Sequence, residues 1–206
     1  MLRAFKADGR RGLVLLGILL ACILIQLASP AAFAALRYER SAIAAGEWWR
    51  LLSAHLTHLN AAHLLVNMAG VVLVWGLVVE EFSARQWLLV LLLATAAIDT
   101  GLWWLNPAIG WYVGASGLLH GLLLAGFVSG LARRDPVALI GLPILLAKLF
   151  IEQRGAALGI TAGLPVVSVA HLYGVAGGAV AGAILRIRRT PPAPTAAGGH
   201  KSPARR

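Results

Sequence analysis

The chain predicts an all-α, polytopic membrane protein, a bundle of six transmembrane helices, and three observations lead there. Hydrophobic residues make up 59% of the 206 residues and charged ones only 13%, against roughly half and a quarter in an ordinary soluble domain. The apolar residues gather into runs of about 20, the length a helix needs to cross the hydrocarbon core. Very short connections separate the second run from the third and the fourth from the fifth, which suits a compact bundle.

The runs fall near 13–33, 58–80, 85–105, 113–132, 136–154 and 166–186. Pro143 and Lys148 interrupt the fifth, the weakest of the six. Before the first span lie basic residues, and AAFA (31–34) follows it, a pattern that also fits a secretory signal with its cleavage site. The run is long for a signal core, and six spans account for the charges without cleavage. Residues 34–57 form a loop rich in Trp, Arg, Glu and His. It is expected to be interfacial and partly helical, with Trp48 and Trp49 at headgroup depth. Residues 1–189 form one membrane domain, and the Pro- and Ala-rich stretch 190–206, with His200, reads as a disordered cytoplasmic tail.

Lys and Arg set the orientation. With both termini cytoplasmic, thirteen fall inside, including Arg3, Arg10, Arg85, Arg133 and Arg186. Four fall outside (Arg37, Arg40, Arg50 and Arg154), and Lys148 lies within the fifth span. The imbalance favours a cytoplasmic N-terminus and C-terminus. The net charge of +10 therefore reads as a topology signal and not as a nucleic-acid surface. Cys22, the sole cysteine, allows no intrachain disulfide.

Chemistry concentrates at the outer ends of spans four and six. Ser116 lies in GASGLLHG (114–121) and His171 in AHLYGVAGG (170–178). Ionisable groups in hydrocarbon cost from roughly 2.5 kcal/mol upwards and mark functional sites. A serine hydroxyl attacks only when a base takes its proton and donors receive the oxyanion. A helix N-terminus offers free N–H groups for that purpose. Gly117, Gly121 and Ala125 form a small-residue ridge on span four, as do Gly174, Gly178 and Gly182 on span six. Such ridges let backbones approach closely. At about 100° per residue, Gly178 and Gly182 project within about 20° of His171. If the ridges meet, Ser116 and His171 come within hydrogen-bond reach; the bland alternative is generic helix packing.

His63 and Asn67, four apart near the outer end of span two, share a helix face and could donate to an oxyanion. His55, His58 and His63 could instead ligate a metal, but no Cys or carboxylate lies among them, so no metal or other cofactor is expected. His55 and His58 read as braces of the loop. Asp99 could orient His171, or bond within the bundle. Lys148 and Glu152, four apart, read as a pair or as snorkelling side chains, and Glu80 and Glu81 as the cytoplasmic end of span two. None of these four reads as a reacting group.

Taken together, the chain resembles the rhomboid intramembrane serine proteases. The resemblance rests on Trp49–Arg50, His58, His63 with Asn67, Gly76 with Glu80, the GxSG of 114–117 and AHxxGxxxG at 170–178. The strings AHLTHLNAAH (54–63) and GASGLLHG are most similar to the rhombosortase branch. The resemblance implies a Ser–His dyad without an acidic third member, with Ser116 as nucleophile and His171 as base. It makes His63, Asn67 and the Ser116 N–H the oxyanion donors, with Gly114 in a supporting place. Many rhomboids carry Tyr four residues after the serine, stacked on the histidine; here His120 stands there. It implies membrane-anchored substrates with a C-terminal Gly-Gly-containing sorting tail, and no nucleic acid. It also implies a bacterial inner membrane, with the site opening to the periplasmic side. Two rivals are an inactive rhomboid-like binding protein, against which both reactive residues argue, and a proton-relaying transporter, which would show internal symmetry that is absent here.

Overall fold

A computed structural model describes residues 9–155 and 166–187; the tail expected from 190 onwards lies outside the described residues. The described chain is built on helices. α1 spans Gly9–Leu27 and α2 Ala31–Leu36, so the run read as 13–33 is divided around Pro30. After β1 (Tyr38–Glu39) come two short helices, α3 (Arg40–Ala44) and α4 (Arg50–Ser53). The long helices are α5 (Ala61–Val78), α6 (Ala84–Thr100), α7 (Ser116–Leu131), α8 (Pro136–Gln153) and α9 (Val169–Ile187), with β2 (Trp111–Tyr112) before α7.

Local signals explain the boundaries. The Asn60 side chain accepts from the His63 N–H at the start of α5 (2.9 Å), satisfying one orphan donor of the first turn. Ser83 and Gln86 form a reciprocal capping box on α6. Asp135 caps α8 ahead of Pro136, which is pre-set for a first helical turn. Pro143 does not break α8; neighbouring helices and local adjustment tolerate proline inside a membrane helix.

Among the described residues, three helices are long and apolar enough to cross a membrane: Ala61–Glu81, Ala84–Leu105 and Pro136–Gln153, the first two including a short turn after α5 and α6. Leu16–Leu27, Ser116–Leu131 and Val169–Leu185 are apolar but shorter. On α8, Leu139, Ile140, Ile144 and Phe150 remain exposed, as suits side chains facing lipid. α7 is the centre, packing on α5, α6, α8 and α9. Its closest partner is α9, because the two small-residue ridges meet. A Cβ added at Gly174 would overlap the Gly117 carbonyl, and one at Gly178 the Gly121 carbonyl. Lipid is as apolar as the helices, so this backbone proximity, rather than hydrophobic burial, draws them together.

The loop read as interfacial is ordered by polar contacts. Arg50, buried, donates to the Ala34 and Arg37 carbonyls (both 2.9 Å) and to Glu47 (2.7 Å). Trp48 and Trp49 are exposed, as expected of headgroup anchors. β1 pairs antiparallel with β2, Tyr38 opposite Tyr112. α6 ends in a π turn, Gly101–Leu105, and Arg40 donates to its Leu102 (2.6 Å) and Trp103 (3.0 Å) carbonyls. The loop is thereby tied to the approach to α7.

Candidate active site

The approach to α7 is held by two hydrogen bonds. Gly114 N–H donates to the Ala54 carbonyl (3.0 Å), and Tyr112 Oη donates to the Gly114 carbonyl (2.7 Å). Gly114 adopts φ +117°, a conformation other residues rarely reach. The turn then opens directly into Ser116, the first residue of α7, where no side chain caps the helix. First-turn N–H groups and the positive dipole end thus lie beside the serine.

Across the ridge, His171 Nε2 lies 2.9 Å from Ser116 Oγ. Nδ1 of the same ring lies 2.8 Å from Glu152 Oε2. A carboxylate only accepts, so Nδ1 carries the proton and Nε2 presents its lone pair to the serine hydroxyl. His171 and Glu152 are both buried, at 3% and 7% exposure. Lys148 pairs with the other Glu152 oxygen, Oε1, and its Nζ lies 2.9 Å from His120 Nε2. His120 Nδ1 lies 2.6 Å from the Ser116 carbonyl. The His120 and His171 rings are stacked, centroids 4.1 Å apart and planes 11° apart. Ligand atoms of His120, Glu152 and His171 lie within 4.8 Å of one another, a spacing a cation could use, but the Lys148 ammonium already bridges two of the three.

His63 and Asn67 flank the same turn. A Cβ on Gly114 would stand 2.8 Å from His63 Cε1, 3.0 Å from its Nε2 and 4.0 Å from Asn67 Nδ2. His63 Nδ1 accepts from the Leu59 N–H (3.4 Å), which leaves Nε2 as the protonated nitrogen, facing Gly114. Asn67 Nδ2 donates to the His63 carbonyl (2.9 Å). Ser116, His171 and His120 thus lie in mutual contact, and His63 and Asn67 approach the Gly114 turn two residues before the serine.

Asp99 and His55 lie elsewhere. Asp99 Oδ1 is 3.4 Å from His55 Nε2, and His55 meets Tyr112 edge to face (centroids 5.6 Å). Asp99 therefore lies beside His55 and not beside His171, whose Nδ1 faces Glu152. His58 and His63 meet edge to face at 5.3 Å while His55 turns to Asp99, so the three loop histidines do not converge as ligands. Glu81 pairs with Arg133 across the far end of the bundle. Glu152 is the residue beside His171 that the sequence does not announce. An intramembrane Lys–Glu pair four residues apart was the available signal, but the two looked sufficient for each other.

His58 lies just before α5, and burial, reinforced by nearby His63, lowers its pKa from 6.5 to about 4. The unfolded chain therefore binds a proton that the folded one refuses. Stability is expected to be intact above 6.5 and to fall as pH drops from 6.5 towards 4. Thermal unfolding in detergent across that window checks this: His58→Asn should flatten the decline, and a slope unchanged by the substitution would contradict it.

The family described as Rhomboid domain matches residues 45–188, which takes in α4 to α9 with Ser116, His171, His120, Gly114, His63 and Asn67. Over 98 residues the chain is 35% identical to the rhomboid protease GluP of Bacillus subtilis (strain 168). That stretch covers 47% of this chain and 18% of the relative, so the chain spans only a small part of that protein's length. With the GxSG turn against the histidine of α9 and the match running through all of it, the chain belongs to the rhomboid family.

Proposed function

We infer that the protein is an intramembrane serine endopeptidase in which Ser116 is the nucleophile and His171 its general base. The observation that carries this is the 2.9 Å contact between Ser116 Oγ and His171 Nε2, made between two apolar helices. The serine oxygen forms a bond to the peptide carbonyl carbon as its proton passes to Nε2. The imidazolium then returns that proton to the leaving amine, and water repeats the sequence on the acyl-enzyme. Holding the two side chains on abutting glycine ridges supplies the orientation on which such a step depends.

His63 Nε2 and Asn67 Nδ2, with the Ser116 N–H, are the donors to the oxyanion. Each is expected to contribute in the transition state more than in the ground state. His63→Ala and Asn67→Ala should each lower kcat by about 10²–10³-fold with little change in KM. Steady-state cleavage by purified variants checks this, and a loss confined to KM would contradict the assignment.

The architecture completes as six spans with both termini cytoplasmic, in a bacterial inner membrane, and the active site opens to the periplasmic side. The three long apolar helices, the three shorter ones and the excess of inside Lys and Arg support that placement. A substrate helix enters laterally between α5 and α8. Similarity of 54–63 and 114–121 to the rhombosortase branch directs the reading to exported proteins with a C-terminal Gly-Gly-containing tail, one membrane helix and basic residues. Glycine-rich backbone unwinds at low cost, which suits delivery of an extended peptide to Ser116. Co-expression with a tail-bearing protein, followed by mass measurement of the released product, tests it. Cleavage within the tail is expected. Cleavage only of helices without the glycine motif would remove the branch assignment and keep the protease.

A further inference from the structure

On the reading that Ser116 and His171 react, we propose that Glu152 is a positioning residue, with Lys148 as its fixed counter-ion. It sets the tautomer of His171 and balances the charge that ring gains. The family resemblance provides for no such acid; the geometry here does.

The network admits one consistent set of protons. Glu152 Oε2 accepts from His171 Nδ1 (2.8 Å), leaving Nε2 bare towards Ser116 Oγ. Lys148 only donates, to Glu152 Oε1 and to His120 Nε2 (2.9 Å). His120 therefore carries its proton on Nδ1 and donates to the Ser116 carbonyl (2.6 Å). Its ring, stacked on His171, limits rotation of the imidazole to which Glu152 is bonded. When the serine proton moves to Nε2, His171 becomes a cation beside the Lys148 ammonium. Glu152, bonded to both, is the anion that separates them. Removing one partner from such a buried set leaves an uncompensated charge.

The groups that face His171 are Ser116, Glu152 and His120, with Lys148 and His63 next to them. Substitution at Glu152 separates positioning from mere packing because of Lys148. In Glu152→Gln the amide oxygen must face the Lys148 donor, so the NH2 turns to His171. Nδ1 must then accept, and the ring proton moves to Nε2, where it blocks the serine. The equivalent exchange in serine proteases leaves geometry intact and disables the base.

The test is the rate of labelling of the purified full chain in detergent by a fluorophosphonate dye. Here the serine oxygen bonds to phosphorus, fluoride leaves, and the proton passes to His171. Glu152→Gln should label on the order of 100-fold or more slowly than wild type, and no faster than Glu152→Ala. Lys148→Met/Glu152→Gln should regain part of the loss, because the amide is free to turn its oxygen to Nδ1. A packing role predicts the reverse order, since Gln keeps the shape that Ala removes. Melting temperatures show which variants are folded. Glu152→Gln at the wild-type rate, or well above Glu152→Ala, overturns the proposal. Wild type that labels while Ser116→Ala stays silent upholds the underlying pair whatever Glu152 does; wild type that never labels removes both.

Discussion

Ser116→Ala and His171→Ala are each expected to lower cleavage of a membrane-anchored substrate by about 10⁴-fold or more, and the double variant by little beyond that. The reason is that the two side chains act as a unit. Without Nε2 at 2.9 Å the hydroxyl keeps its proton, and without the hydroxyl the imidazole has nothing to activate. The measurement is single-turnover cleavage in liposomes, with melting temperatures of the variants as a check on folding. Two independent, multiplying losses would show that the residues serve separate tasks.

Gly174→Ala should also lower the rate strongly, by adding one methyl group. The new Cβ would overlap the Gly117 carbonyl. That carbonyl is backbone and cannot rotate aside, so α9 must back away from α7. His171 lies less than one turn before Gly174, and Ser116 immediately precedes Gly117. The displacement therefore falls on the reacting atoms. Overpacking of this kind costs about 1–3 kcal/mol of stability, and a misplacement of about 1 Å costs on the order of 100-fold in rate. Gly182→Ala is the control: its Cβ would meet only the Ala125 Cα, at 3.8 Å, an ordinary contact. Rate and melting temperature should both fall for the first variant and hold for the second. Equal tolerance of both would mean that the ridge does not set the distance between the two helices' outer ends.

Sequence made this part of the molecule legible because small residues four apart repeat with the helix, and close approach of backbones is what such repeats permit. His63 and Asn67 were legible for the same reason: four residues is one turn, so both face the Gly114 turn. The GxSG string itself placed Ser116 at a helix start, although the helix begins at Ser116 and not three residues earlier, because Trp111 and Tyr112 are taken by a strand. That two-residue strand carries no periodicity to read.

The contacts that escaped are between residues on different elements whose pairing no local pattern encodes. Glu152 sits at the end of α8 and reaches His171 across a connection that includes 156–165. Its spacing from Lys148 offered a complete explanation of its charge within one helix. Asp99 admits several roles from sequence alone because His55, 3.4 Å from it in the fold, comes from a loop more than forty residues earlier. The π turn at Gly101–Leu105 is another such case: Arg40, some sixty residues earlier, supplies the donors that let it form.

The most direct measurement is peptide mapping by mass spectrometry after treatment of wild type, Ser116→Ala and His171→Ala with a fluorophosphonate. A phosphonyl adduct on the peptide containing Ser116, present in wild type and absent from both variants, is the result expected. An adduct on another residue, or labelling that survives loss of either side chain, would contradict the assignment of this serine and this histidine as the reacting pair.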